Sequence, residues 1–206
     1  MVFSRLVGMV FPSRCVGCEI PGSWWCSDCD RRIVPVGMVS VPGLDGLIAA
    51  GIHREPLTRW VKALKYRHVK AVIPTLVERL TVLLADLRRR HRDLVLVPVP
   101  LHPRRLRSRG HNQSALLAGA LAAATGLPVS SGLIRCHRTR TQTGLGRAER
   151  RRNVAGAFAW TGPLPANRTV VLVDDVYTTG ATLAACAEAC REAGAAQVYG
   201  LVVGKR

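Results

Sequence analysis

Long apolar runs are missing from this chain of 206 residues; the most Ala/Leu-rich stretch, 115–124, is far shorter than a bilayer requires. Acidic residues are scarce as well, thirteen against thirty basic ones, which leaves a net charge of +17. Lysine is scarcer still: four of the thirty cations are Lys and twenty-six are Arg. Such an excess attracts polyanions over long range. High Arg together with high Ala and Gly is also what a GC-rich coding sequence yields, so the placement of the charges says more than their sum. Only ten aromatics occur, too few for an extended base-stacking surface. Trp24, Trp25, Tyr66 and Tyr177 are the candidates, and packing is the first expectation for each. The opening stretch, 1–11, is apolar but interrupted by Arg5, with no small-residue cleavage site before the first cysteine. It reads as a short amphipathic helix rather than a secretory signal, and a cytoplasmic location is the default expectation.

What is present is enough apolar residue, 48%, to exclude global disorder, and enough length for one sizeable core with a small appended module. Four of the seven cysteines fall in Cys15-x2-Cys18-x7-Cys26-x2-Cys29. Two C-x2-C knuckles offer four thiolates at tetrahedral reach, the donor set of a structural zinc site with no open position for catalysis. A redox role would need only one such pair, and disulfides do not suit a cytoplasmic protein. Cys136, Cys186 and Cys190 read as packing residues. The module is assigned to 1–36, residues 30–46 look like a Pro/Gly/Val-rich linker, and 47–206 forms the main domain.

Beyond it, periodicity predicts strands at 47–51, 94–99, 129–136, 155–160, 170–173 and 198–203. Helices are predicted at 56–65, at 74–90 with Pro74 at its start, at 112–125 capped by Asn112 and Gly126, and at 181–193. Alternating strands and helices imply an α/β fold with a parallel sheet covered by helices.

The most informative segment is Val170-Val171-Leu172-Val173-Asp174-Asp175-Val176-Tyr177-Thr178-Thr179-Gly180-Ala181-Thr182. An apolar run buried on both faces leads into two carboxylates, at the sheet edge where α/β folds bind ligands. Thr178, Thr179, Gly180, Ala181 and Thr182 stand where a loop becomes a helix, and first-turn amides there suit a phosphate. Asp174 and Asp175 suit sugar hydroxyls or a hydrated Mg²⁺. A second strand–loop–helix turn carries Leu101, His102, Arg104, Arg105, Arg107 and Arg109, which suits a pyrophosphate. A third loop, 137–153, holds Arg138, Arg140, Gln142, Arg147, Arg150, Arg151, Arg152 and Asn153, and reads as mobile and functional.

The strand, the acid pair and the T-T-G-x-T-like loop resemble the phosphoribosyl-pyrophosphate (PRPP) motif of type I phosphoribosyltransferases. That resemblance implies that Asp174 and Asp175 contact ribose hydroxyls and that Val176 to Thr182 (Val176, Tyr177, Thr178, Thr179, Gly180, Ala181, Thr182) surround the 5′-phosphate. It also implies that the loop from Leu101 to Arg109 takes pyrophosphate and that Arg147 and Arg150 belong to a closing catalytic loop. The whole set resembles the narrower ComF family of competence-associated proteins. The match is carried by Phe11-Pro12, the four cysteines, Leu64-Lys65-Tyr66-Arg67, Pro98-Val99-Pro100, Arg109-Gly110-His111-Asn112-Gln113, Thr141-Gln142, and Arg147, Arg150 and Asn153 through Phe158, with the acidic motif. His111 departs from the aromatic expected there. The family implies a zinc module before a phosphoribosyltransferase-like domain, PRPP with Mg²⁺ as ligand, and a role in DNA uptake or repair. It leaves two readings: a PRPP-using glycosyltransferase, or a non-catalytic module that binds single-stranded DNA and an uptake helicase or translocase.

Overall fold

The computed structural model describes residues 13–66, 69–136, 156–164 and 167–206, with the side chains of 69 and 70 outside the description. The expected helix at 1–11 and the Arg-rich loop with Arg138, Arg140, Arg147, Arg150, Arg151, Arg152 and Asn153 lie outside these residues.

The elements run in the order α1 (Ser27–Arg31), β1 (Gly37–Val39), β2 (Gly46–Ile52), α2 (Leu57–Lys65), α3 (Val69–Arg90), β3 (Leu94–Pro98), α4 (Pro103–Arg109), α5 (Gln113–Thr125), β4 (Leu133–Arg135), β5 (Phe158–Trp160), β6 (Thr169–Tyr177), α6 (Ala181–Glu192) and β7 (Gln197–Lys205). The main sheet has the order β1-β2-β7-β6-β3. Its four longer strands are parallel and β1 is an antiparallel edge. This is the expected α/β fold. The supposed linker therefore contributes an edge strand, whose three residues are too few to show a period.

Alternation along the strands splits the core in two. Ile48, Ala50, Leu96, Val171, Val173, Leu201 and Val203 face α2, α3 and α5. Leu47, Ala49, Val95, Val97, Val170, Leu172 and Val202 face α6 and the β4–β5 ribbon. The apolar run of β6, Val170 to Val173, is wholly buried, as its composition demands. The segments expected as strands at 129–136 and 155–160 do not join the main sheet as long strands. They shrink to β4 and β5, which pair with each other, and only Val129 bridges to Leu96.

Helix α3 begins five residues earlier than its proline suggested and carries Pro74 inside it. Pro74 lacks the N–H that would bond to residue 70. Burial of Val72 and Leu76 on either side of it holds the first turns in place. Helix α5 follows expectation: Asn112 Oδ1 accepts from the Ser114 N–H at 3.0 Å, and Gly126 closes the helix at φ +73°. Among the described residues no helix is long and apolar enough to cross a membrane.

Candidate functional site

Strand β6 extends past the expected end at Val173 and keeps its ladder with β7 through Tyr177, opposite Lys205. The two carboxylates therefore lie within the strand's last residues rather than beyond it. Helix α5 starts directly beside them, because β3 is the parallel neighbour of β6 and their following loops open at one edge. Ser114 Oγ donates to Asp174 Oδ1 at 3.1 Å, and the Asp175 N–H donates to the same oxygen at 2.8 Å. Gln113 Nε2 donates to Asp175 Oδ2 at 2.9 Å, and Lys65 Nζ lies 3.0 Å from that oxygen. The remaining oxygens, Asp174 Oδ2 and Asp175 Oδ1, take part in none of these four bonds. Burial and then the charge of Asp175 push the Asp174 carboxyl up to about 7, against the lowering effect of the Asp175 amide and Ser114.

The amide of Gln113 is held in one orientation. Its Oε1 accepts from Arg109 Nη1 at 3.2 Å, so its Nε2 is left to face Asp175. Asn112 Nδ2 donates to the Val99 carbonyl at 3.0 Å, which ties the start of α5 to the end of β3.

After β6 the chain turns through Thr178 and Thr179 to Gly180, which caps α6 with φ +78°. A Cβ on Gly180 would lie 2.7 Å from Tyr177 Cζ, so the loop folds against the buried tyrosine ring only because residue 180 has no side chain. The helix ladder opens with the Ala184 N–H to the Gly180 carbonyl at 2.8 Å. The amides of Ala181, Thr182 and Leu183 precede that bond, at the positive end of the helix dipole.

The cationic turn after β3 differs from the loop expected. Pro103 and Gly110 bracket a helix, α4, and His102 Nδ1 caps it by accepting from the Arg104 N–H at 3.2 Å. No residue of α4 is buried; Arg104, Arg105 and Arg107 are exposed, Leu101 and His102 half-buried, and Arg109 is the one that reaches the acid pair through Gln113. Of the other expected ligand residues, Val176 is half-buried against the α2–α3–α5 core, Thr178, Thr179 and Thr182 are half-buried, and Ala181 is buried. Arg147 and Arg150 lie outside the described residues.

Three residues join the acid pair that the sequence had not marked as its partners: Lys65 and Gln113, which stand in two of the stretches that carry the family resemblance, and Ser114. Lys65 ends α2, and His111 Nε2 lies 3.2 Å from the Leu64 carbonyl, so His111 fastens α2 to the α4–α5 turn. His53, just past β2, faces the same edge. A Cβ on Gly204 of β7 would lie 2.9 Å from His53 Nδ1. Burial, then the charges of Arg206 and Lys65, lower the His53 pKa and favour a neutral imidazole.

The four cysteines of the N-terminal module converge, with all their Sγ atoms within 4.8 Å of one another. Cys18 Sγ and Cys26 Sγ are 3.5 Å apart. Although burial opposes it, the amides of Cys26, Gly17 and Cys18 draw the Cys15 thiol down to about 7. Burial and the three neighbouring sulfurs push Cys29 up. Crowding that raises one thiol beside another already poised to ionise is relieved by a divalent cation, so the set fits a structural metal such as zinc. The module packs on the main sheet's helices: Trp25 stacks on Trp60, Arg59 Nη1 donates to the Gly17 carbonyl at 3.1 Å, and Asp30 Oδ1 pairs with Arg79 Nη1 at 2.5 Å. Trp24 stays 38% exposed. Burial, then the charge of Asp174, raises the Cys186 thiol well above its ordinary value, and burial pushes Cys190 up to about 12, so both act as neutral core residues. Cys136 is exposed at the end of β4.

No family model matches the chain. Among solved structures, adenine phosphoribosyltransferase from Leishmania tarentolae is 18% identical with a TM-score of 0.40, the alignment covering 81% of this chain and 80% of that one. Purine phosphoribosyltransferase from Pyrococcus horikoshii is 17% identical with a TM-score of 0.36, covering 64% and 83%. Sequence relatives extend over nearly the whole chain. DNA utilization protein YhgH of Salmonella typhimurium is 34% identical over 191 residues, covering 90% of this chain and 81% of that protein. Competence protein F of Haemophilus influenzae is 30% identical over 204 residues, covering 91% and 89%. At these identities, sustained over at least 90% of this chain and 81% of each relative, the chain belongs to the ComF family, that of competence protein F and the YhgH DNA utilization proteins.

Proposed function

We propose that this protein binds a phosphoribosyl ligand, PRPP or a related ribose 5-phosphate or nucleotide, at the edge where β3 and β6 end, and that it does so in the service of DNA uptake or utilization. The observation that carries the reading is the pairing of Asp174 and Asp175. Each gives one oxygen to α5 or to the backbone, and Asp175 Oδ2 also takes Lys65. Asp174 Oδ2 and Asp175 Oδ1 remain to accept from two adjacent ribose hydroxyls. The first-turn amides of α6 lie one loop away for the 5′-phosphate. Mg²⁺ would come with the pyrophosphate of PRPP, and the arginines of α4 and of the 137–153 segment would balance the leaving group's charge. The cysteines hold zinc as a structural ion. The names of the relatives supply the DNA context.

Calorimetric titration with PRPP and Mg²⁺ tests this. The wild type binds and the Asp174→Asn, Asp175→Asn double variant does not; a flat titration with the wild type refutes the reading.

A second reading, a non-catalytic module for single-stranded DNA and an uptake helicase or translocase, is favoured by one observation: α4 buries none of its residues and presents Arg104, Arg105 and Arg107 to solvent. Under it, single-strand affinity falls steeply with salt and drops when these three arginines become alanine. Affinity indifferent to both removes α4 from that role.

A further inference from the structure

We infer that Lys65 supplies the resident positive charge of the ribose site, so that the ribose 5-phosphate end of a ligand binds at Asp174 and Asp175 without a divalent cation. The inference rests on the phosphoribosyl reading above.

The Lys65–Asp175 pair is the most shielded ion pair among the described residues, with side chains 26% and 10% exposed. It is also a long-range pair, joining the end of α2 to the end of β6. The ammonium does not arrive there by chance of a flexible surface arm. Lys65 is the last residue of α2, and Leu57, Trp60 and Leu64 of that helix are fully buried. Trp60 is stacked by Trp25 from outside, and the Leu64 carbonyl is met by His111 Nε2 at 3.2 Å. The base of the lysine is thus fixed by the core on one side and by the α4–α5 turn on the other.

Asp175 Oδ2 already has two donors, Gln113 Nε2 and Lys65 Nζ. A divalent ion held directly by that oxygen would displace the ammonium or stand within a few ångströms of it, and two cations repel strongly in a partly buried site. Arg109 adds a further cation behind Gln113. A carboxylate pair that is partly neutralised from within suits a neutral diol better than a bare divalent ion. Two hydroxyls can donate to Asp174 Oδ2 and Asp175 Oδ1 while every existing bond of the acid pair stays in place. A lysine at a helix C-terminus is also favoured by the helix dipole. That role alone would leave ligand binding indifferent to the charge at position 65, which makes the two roles separable by measurement.

The experiment is calorimetric titration of the full-length, zinc-loaded protein with ribose 5-phosphate, a probe that lacks the pyrophosphate and its accompanying Mg²⁺. Two buffers are compared, one containing Mg²⁺ and one cleared of it by a chelating resin beforehand, with no chelator in solution so that the cysteine site is left intact. Wild-type affinity is expected to agree within about twofold between the buffers. Lys65→Met is expected to lose about tenfold without Mg²⁺, the size of one charge-assisted hydrogen bond, and to recover most of it when Mg²⁺ is present. Lys65→Arg keeps the charge and stays independent of Mg²⁺, which controls for folding should the methionine variant fail to fold. Wild-type binding that weakens tenfold without Mg²⁺ overturns the role of Lys65 and leaves the phosphoribosyl reading standing. Lys65→Met binding equal to wild type in both buffers does the same. No binding of ribose 5-phosphate by the wild type in either buffer overturns the role of Lys65, and the PRPP titration then decides the phosphoribosyl reading separately.

Discussion

Trp25 lies flat on Trp60, with ring centroids 4.1 Å apart and planes 10° from parallel. The stack joins the cysteine module to α2, and α2 ends in the lysine that pairs with Asp175. Module and acid pair are therefore linked through one helix. Trp25 is 8% exposed and Trp60 is fully buried. Truncating Trp25 to alanine is expected to cost about 3 kcal/mol, the usual range for a large buried aromatic. Denaturant unfolding of Trp25→Ala, Trp60→Ala and the double variant should give a coupling of about 1 kcal/mol between the rings. Strict additivity would mean that the rings are neighbours without a specific interaction.

Gly17 sits against the sulfurs of the four-cysteine cluster. A Cβ there would be 2.6 Å from Cys29 Sγ and 3.1 Å from the Trp25 ring. Gly17→Ala must therefore push Cys29 out of the four-sulfur cluster or Trp25 off its stack. Zinc release followed with a chromogenic chelator should be faster for Gly17→Ala than for wild type. Stripping the metal from wild-type protein should lower its melting temperature, because metal held only by the folded state adds its binding energy to stability. A melting temperature unmoved by complete zinc removal would deny the ion a structural role.

What could be read from the sequence, and what could not, follows from the range of each interaction. The β6–α6 segment announces itself locally: four apolar residues, two acids, then Thr178, Thr179 and Gly180 in close succession. The caps of α5 are local too, since Asn112 and Gly126 act on the turns beside them. Lys65 was legible as the end of an amphipathic helix but not as Asp175's partner, because the pair exists only once α2 packs beside the sheet. Gln113 had the same disadvantage. Helix α4 escaped because none of its residues is buried, so no apolar period marks it; the Pro103 and Gly110 that bracket it were the available signal. Pro74 misplaced the start of α3 because a proline marks a helix's first turn only when nothing ahead of it is packed, and Val72 is fully buried.

Gly180 tests the phosphate loop apart from the acids. An alanine there would have to adopt φ near +78°, and its methyl group would strike the Tyr177 ring at 2.7 Å from Cζ. The left-handed conformation alone costs about 1 kcal/mol, and the contact adds to it. Gly180→Ala is expected to displace the loop, reduce affinity for ribose 5-phosphate by about tenfold or more, and lower stability by only about 1–2 kcal/mol. Calorimetry paired with a thermal melt separates the two effects. Undiminished affinity would place the phosphate elsewhere than on the first turn of α6.

Asp174 sets a pH dependence whose sign is opposite to that of a paired surface carboxylate. Burial and the neighbouring Asp175 raise its pKa to about 7 in the folded chain, whereas an unfolded aspartate titrates at about 3.9. Between those values the folded state binds the extra proton. The contribution of this group to stability is therefore complete below about pH 4, is lost as pH rises toward 7, and is flat above it. Asn at this position carries no charge at any pH and escapes the loss. Asp174→Asn is expected to match or trail wild type at pH 4 and to melt about 3 °C higher at pH 8, the shift that roughly 1 kcal/mol produces in a chain of this size. The same variant should bind ribose 5-phosphate poorly, since the amide puts a donor where a hydroxyl needs an acceptor. Melting curves of both proteins from pH 4 to pH 8 decide the matter: parallel profiles would show that the carboxyl ionises freely where it stands, and a gap that opens with rising pH would show that the ionised acid costs the fold stability.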